Sequence, residues 1–196
     1  MAQTDSSFLA DKVYLRANHL PPCDPVRVLD CYAGFGIVWA WVKKITGRDI
    51  RVLGIDTRDI GFALPGDNRA YLGTIDLDKF DVIDLDAYGI PFDQVEVILN
   101  RGYQGVIFVT FIQSVYGCLP NAMLSALGYP MAGVKKIPTI FYKHGWEKML
   151  LYLANRGLKT VVHRSFRNKH YFMINGAEAG GEGCDTRMEG IFADLS

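Results

Sequence analysis

The sequence has no apolar run approaching the roughly 18 residues that a bilayer-spanning helix needs. Its first residues, Met-Ala-Gln-Thr-Asp-Ser-Ser, lack the basic start and apolar stretch of a secretory leader. These two absences predict a soluble, cytoplasmic protein with no membrane partner. Cysteine is sparse and scattered: Cys23, Cys31, Cys118 and Cys184 form no CxxC or zinc-knuckle spacing, so reduced thiols and no metal site are expected. There is no internal repeat, no pair of carboxylates with the logic of a glycosidase, and no Ser/His/Asp arrangement.

Net charge is zero, yet its distribution along the chain is uneven. Between residues 131 and 170 many lysines and arginines face the single acid Glu147, whereas residues 71–100 are rich in aspartate and contain Lys79 as the only lysine before Arg101. A basic segment in a neutral chain attracts polyanions locally, although solvated helix and hairpin faces give the same pattern. The 196 residues suit a single domain of ordinary globular composition, with an N-terminal extension over about 1–25 and a flexible Gly-rich tail over about 177–196.

The apolar pattern predicts strands at 26–32, 51–56, 69–75, 80–85 and 105–111, and helices at 37–45, 91–101, 121–127 and 145–155. A Gly- and Pro-rich loop at 58–68 leaves the second crossover without most of its helix. Strands at 158–166 and 170–175 flank a tight turn at Arg167-Asn168 and make a hairpin. Strands alternating with helices imply a parallel sheet, and a terminal hairpin on it forces an antiparallel strand. The expected fold is α/β and Rossmann-like: a mostly parallel seven-stranded sheet, a C-terminal antiparallel hairpin and helices on both faces.

The first strand delivers Asp30 to a turn containing Gly34 and Gly36, and a helix follows. Glycines let the backbone turn tightly and approach a ligand, and the helix N-terminus aims free N–H groups at an anionic part of it. Asp30 is placed to accept from a ligand ammonium. Asp56 closes the second strand about 20 residues beyond the glycines, where a carboxylate takes the hydroxyls of a ribose. Asp76, expected after the third strand, is the candidate partner of an adenine amine. A nicotinamide cofactor is the rival, but its third glycine position is Trp39, which would obstruct close helix–strand packing.

The run from Val28 to Gly36 (VLDCYAGFG) resembles the LDxFAGxG signature of class I S-adenosylmethionine-dependent methyltransferases, especially those acting on RNA and DNA. Residues 80–91 (FDVIDLDAYGIP) resemble the DLDPYGSP segment of the tRNA guanine-N2-dimethyltransferase family, with Ala87 in place of its proline and Ile90 in place of its serine. The resemblance covers roughly residues 26–110 and not that family's additional tRNA-binding domain. It implies S-adenosyl-L-methionine as cofactor, held by Asp30, Tyr32, Ala33, Gly34, Gly36, Asp56, Asp76 and Asp84. Asp84 has a second reading as an organiser of the following turn.

Asp86, the carbonyl of Ala87, and Tyr88 are the candidate catalytic set. An exocyclic amine is a poor nucleophile, and a carboxylate with a carbonyl accepting its N–H bonds would orient its lone pair while Tyr88 stacks on a flipped or single-stranded base. Thr110, Gln113 and Ser114 could line the target pocket. Lys135, Lys136, Lys143, Arg164, Arg167 and Lys169 are the candidate phosphate contacts, with His144, His163 and His170 nearby. The function expected is methylation of a base amine in tRNA, other RNA or DNA. Methylation of a small molecule or protein, and a non-catalytic binding module, stand as alternatives.

Overall fold

The computed structural model describes residues 8–113, 119–130, 132–133, 137, 139–166 and 168–176. Among these, seven strands form one sheet in the order β3-β2-β1-β4-β5-β7-β6. The strands are β1 Val26–Asp30, β2 Ile50–Asp56, β3 Ala63–Pro65, β4 Val82–Leu85, β5 Val106–Ile112, β6 Lys159–Phe166 and β7 Lys169–Asn175. The first five run parallel, and β7 inserts antiparallel between β5 and β6. The strand order reverses between β1 and β4, and the carboxyl ends of such strands form a crevice there.

The helices are α1 Leu9–Asn18, α2 Ile37–Thr46, α3 Asn68–Thr74, α4 Phe92–Asn100, α5 Asn121–Ala126 and α6 Ile140–Asn155. They cover both faces of the sheet, as buried parallel strands require. On one face Val13 and Leu15 of α1 and Trp39 and Val42 of α2 bury Val26, Val28, Val82 and Phe108. On the other, Leu72 of α3, Phe92, Val95 and Ile98 of α4, and Phe141, Met149 and Leu153 of α6 pack on Leu29, Ile83, Ile107 and Val109. Most successive residues of β1, β4 and β5 thus feed opposite cores, which is why these strands read as apolar runs, interrupted by Arg27 and Asp84.

Three expectations are corrected. Residues 69–75 are helical: Asp67 caps α3 by accepting from the Arg69 N–H at 2.9 Å, and Leu72 alone of the run turns fully into the core. The third strand lies instead inside the loop, where Ala63–Pro65 pairs with the end of β2. Glycine at position 54 permits that pairing, because a Cβ there would meet the Cβ atoms of Ala33 at 2.7 Å and Ala63 at 3.2 Å. Helix α6 starts five residues earlier than expected, at Ile140, since Gly145 lies inside it against the ring of Phe141. Finally, the segment read as an extension carries α1, whose Lys12, Val13, Leu15 and Arg16 are buried. The expected tail at 177–196 lies outside the described residues.

Candidate active site

The carboxyl ends of β1, β2, β4 and β5 open onto a cavity of about 860 Å³. One wall is the glycine turn: Gly34 and Gly36 adopt φ of +51° and +69°, left-handed values that favour glycine. Helix α2 starts immediately after, and among the described residues no side chain caps its first turn. Its leading N–H groups are therefore available to an anionic ligand group. Tyr32, Ala33, Gly34 and Phe35 all line this wall.

The floor is a cluster of charge at the ends of β1 and β4. Asp84 is 1% exposed and accepts from Arg16 Nη2 at 2.5 Å, Arg16 Nε at 2.7 Å and Trp39 Nε1 at 2.8 Å. Burial pushes its carboxyl up, with the Arg16 guanidinium pulling the other way. Asp86 accepts from Lys12 Nζ at 2.9 Å on one oxygen and from Thr110 Oγ1 at 2.6 Å on the other. Burial works against its ionisation, but Arg16, Lys12 and Thr110 together hold it below the usual carboxylate range. Asp30 accepts from the Tyr32 N–H at 3.1 Å, and burial followed by the charge of Asp84 pushes it well above that range. Among the described residues, three acids of this cluster thus face two cations, Arg16 and Lys12. A ligand cation would relieve the surplus.

Asp56 stands apart. The Gly34 N–H donates to it at 3.0 Å, and Arg58 donates through its backbone N at 2.9 Å, Nε at 2.9 Å and Nη2 at 3.1 Å. The Arg58 side chain is 44% exposed, and its guanidinium lies 5.6 Å from the centroid of the Phe35 ring. These hydrogen bonds, those from Arg58 foremost, keep the Asp56 carboxyl below its usual range.

Of the other residues singled out in the sequence, Ala87 is buried beside the cavity and Tyr88 stands 82% exposed at its mouth. Thr110 and Lys169 line it too. Asp76 is not brought there: it accepts from the Asp78 N–H and caps a 3₁₀ turn at Leu77–Lys79, because the strand expected to deliver it is a helix. Asn68, which opens α3 and donates to the Cys31 carbonyl at 2.7 Å, lines the cavity in its stead.

The basic segment is dispersed. Lys143 is exposed on α6, and Arg164 is paired with Asp11 at 2.7 Å. Gln113 is buried and donates to the Phe141 and Tyr142 carbonyls, away from the cavity. His170 is buried and stacked on Trp146 with centroids 4.1 Å apart. Burial pulls it down to about 4, so it carries no charge for a phosphate at neutral pH. Lys135, Lys136, Arg167 and Ser114 lie outside the described residues.

Sequence reasoning missed Lys12, Arg16 and Arg58. The first two sit at i and i+4 on one helical face among apolar residues, a spacing that places them together. Arg58 follows Asp56 by two residues, the reach of a local side-chain–backbone turn. Trp39 was read only as an obstruction, whereas its indole N–H braces the floor.

No family model matches the chain, and no curated protein matches its sequence. Solved structures do resemble it. A provisionally assigned rRNA-methylase from Clostridium thermocellum superposes with a TM-score of 0.50 at 13% identity, covering 92% of this chain and 100% of that one. A possible exported protein from Bordetella parapertussis gives 0.50 at 9%, covering 87% and 67%. A SAM-dependent methyltransferase from Archaeoglobus fulgidus gives 0.49 at 14%, covering 84% and 92%. At these identities the likeness speaks of the fold. That fold, with its antiparallel β7 between β5 and β6, is the Rossmann-like class I methyltransferase fold.

Proposed function

We propose that the chain is an S-adenosylmethionine-dependent methyltransferase whose acceptor is an exocyclic amine of a nucleic-acid base. The observation that carries this reading is a single cavity that joins the glycine turn and Asp30 to Asp86, Ala87 and Tyr88. The C. thermocellum structure, named for rRNA methylation, agrees with a nucleic-acid substrate.

The residues present suit the cofactor. An ammonium beside Asp30 would relieve the pressure of Asp84 on it, and the uncapped start of α2 would receive the carboxylate. Asp56 offers a ribose site once Arg58 moves aside, and Asn68 lies on the cavity wall. When bound, the cofactor supplies a methyl group activated by a sulfonium. The protein's part is to place a nucleophile in line with that methyl and to exclude water.

Asp86, with the Ala87 carbonyl, would accept the two N–H bonds of the amine and concentrate its lone pair toward the methyl. Because Arg16 and Lys12 depress its pKa, Asp86 is a weak base. Its role is orientation, and the proton lost after transfer passes to solvent. Tyr88, exposed at the mouth, offers a stacking face for the base.

One observation favours a second reading. Lys12 puts an ammonium 2.9 Å from the same carboxylate. Such a cation lowers the pKa of a hydroxyl and opposes the positive charge that grows on an attacking amine. An oxygen acceptor, including one on a small molecule, follows from that charge.

The deciding experiment is incubation with labelled S-adenosylmethionine and separate pools of tRNA, ribosomal RNA, DNA, protein and small metabolites. Labelled nucleic acid yielding an N-methylated base supports the first reading, and an O-methylated product supports the second. Absence of cofactor binding at millimolar concentration sinks both.

A further inference from the structure

Asp56 is the acid expected to hold a ribose, yet its acceptor capacity is already filled. A carboxylate offers about four lone-pair sites. Here four N–H groups point at the two oxygens, from Gly34 and from the backbone, Nε and Nη2 of Arg58. The Gly34 and Arg58 backbone bonds belong to the turn and stay with it. The two guanidinium bonds belong to a side chain that is 44% exposed, so solvent is at hand to hydrate it when it leaves.

The fork of Nε and Nη2 presents two parallel N–H donors, one to each oxygen. Vicinal ribose hydroxyls present two parallel O–H donors to the same pair of oxygens. The guanidinium therefore occupies the diol's place with the diol's own hydrogen-bonding pattern. Beside it, Phe35 is 61% exposed, and its ring lies 5.6 Å from the guanidinium carbon. That ring flanks the guanidinium while it is paired with Asp56 and sits with it at the cavity rim.

We propose that Arg58 is a displaceable placeholder on Asp56, which competes with the cofactor's ribose and sets how strongly a ligand must bind through a paired diol to enter. This rests on the cofactor reading above. A ligand offering one hydroxyl replaces a bidentate, charge-assisted contact with a single bond. It is disfavoured relative to one offering two. The residue is thus a specificity determinant that tunes affinity from outside the cluster beneath the methyl-transfer site.

S-adenosylhomocysteine is the suitable probe, because it keeps the ribose and lacks the sulfonium charge that Arg58 would repel directly. Calorimetric titration of Arg58→Ala and Arg58→Gln should show binding roughly twofold to fivefold tighter than wild type, the range an exposed ion pair supports. The gap should shrink as salt rises, since ionic strength weakens the Arg58–Asp56 pair in the wild type alone. In an Asp56→Asn background, Arg58→Ala should change nothing, because the competitor has lost its seat. The 2′-deoxy analogue should be rejected less strongly by Arg58→Ala than by wild type.

Equal or weaker binding by both Arg58 variants would overturn the placeholder role and make Arg58 a bystander or a ligand contact. Binding by the variants when wild type binds too weakly to measure would support it. If wild type and every variant fail to bind at millimolar ligand, the cofactor reading itself fails, and the placeholder falls with it.

Discussion

The two ends of the cavity treat their carboxylates in opposite ways. At the β1–β4 end, Asp84 is 1% exposed and its partners Arg16 and Trp39 are equally buried. At the β2 end, Asp56 is partnered by an arginine that is 44% exposed. Asp84 accepts three hydrogen bonds and Asp56 four, so a count of contacts would rank Asp56 as the better held. Burial ranks them the other way. Removing Arg16 from Asp84 would leave a charge without solvent to take it up, whereas Arg58 can leave Asp56 and be hydrated at once. The first pair is therefore architecture, and the second is open to exchange with a ligand.

The sharpest way to break this contrast is Arg16→Met. It strands the Asp84 carboxylate beside Asp30 and Asp86 in the core. Loss of one partner of a buried pair costs about 3–5 kcal/mol. Urea denaturation should show that loss, and the double variant Arg16→Met with Asp84→Leu should recover much of it. If Arg16→Met costs no more than Arg58→Ala, burial does not separate the two ends.

The next effect concerns turnover. Asp86→Ala should lower kcat by about 10²–10³-fold, the range for losing one positioned electrostatic group, while S-adenosylhomocysteine affinity stays within about twofold. A large loss of affinity with kcat preserved would move Asp86 from the acceptor subsite to the cofactor subsite.

Asp30→Asn sharpens the contrast from the other side, because among the described residues no cation is hydrogen-bonded to the buried Asp30, and Arg16 is spent on Asp84. Its pKa is raised in the folded state by burial and by Asp84. Its contribution to stability is therefore fully present below the unfolded value of about 3.9 and is lost as pH rises through the folded value. Asp86 has the opposite sign: its pKa is lowered, so its contribution is present above about 3.9 and lost as pH falls through the folded value. At pH 7 the Asn variant should melt at a higher temperature than wild type. It should also bind S-adenosylhomocysteine about 10- to 100-fold more weakly, as expected for losing a hydrogen bond to a charged group. A lower melting temperature would mean that Asp30 is held ionised by a partner and that the surplus charge on the floor is not there.

The legibility of the molecule follows the same division. Strands β1, β2, β4 and β5 were readable because burial on both faces makes each mainly apolar, with Arg27 and Arg51 the exposed exceptions in β1 and β2. The glycine turn was readable because left-handed backbone favours glycine. Residues 69–75 misled because Tyr71, Leu72 and Ile75 suit a strand by composition, and the Asp67 cap that decides for helix is a tertiary-independent signal two residues before the segment. Asp76 was misplaced as a direct consequence. The partners of Asp84 and Asp86 were not readable, since Arg16 lies 68 and Lys12 74 residues away in sequence. Local periodicity says which side of α1 faces inward, but not which strand end receives it.

Lys169 gives the smallest expected effect and tests the comparison at its rim. Among the cations singled out for phosphate contact, it lines the cavity, with its ammonium 5.6 Å from the Phe8 ring centroid. Arg164 is engaged with Asp11 and Lys143 is remote on α6. If nucleic acid approaches over Tyr88, Lys169→Ala should weaken binding of a single-stranded RNA about equally across sequences and reduce the salt slope of its affinity by about one. Lys143→Ala should leave that slope unchanged. Equal slopes for wild type and Lys169→Ala would place the polyanion elsewhere, and the cavity would then serve a smaller substrate. That result would favour the oxygen acceptor beside Lys12 over the base amine.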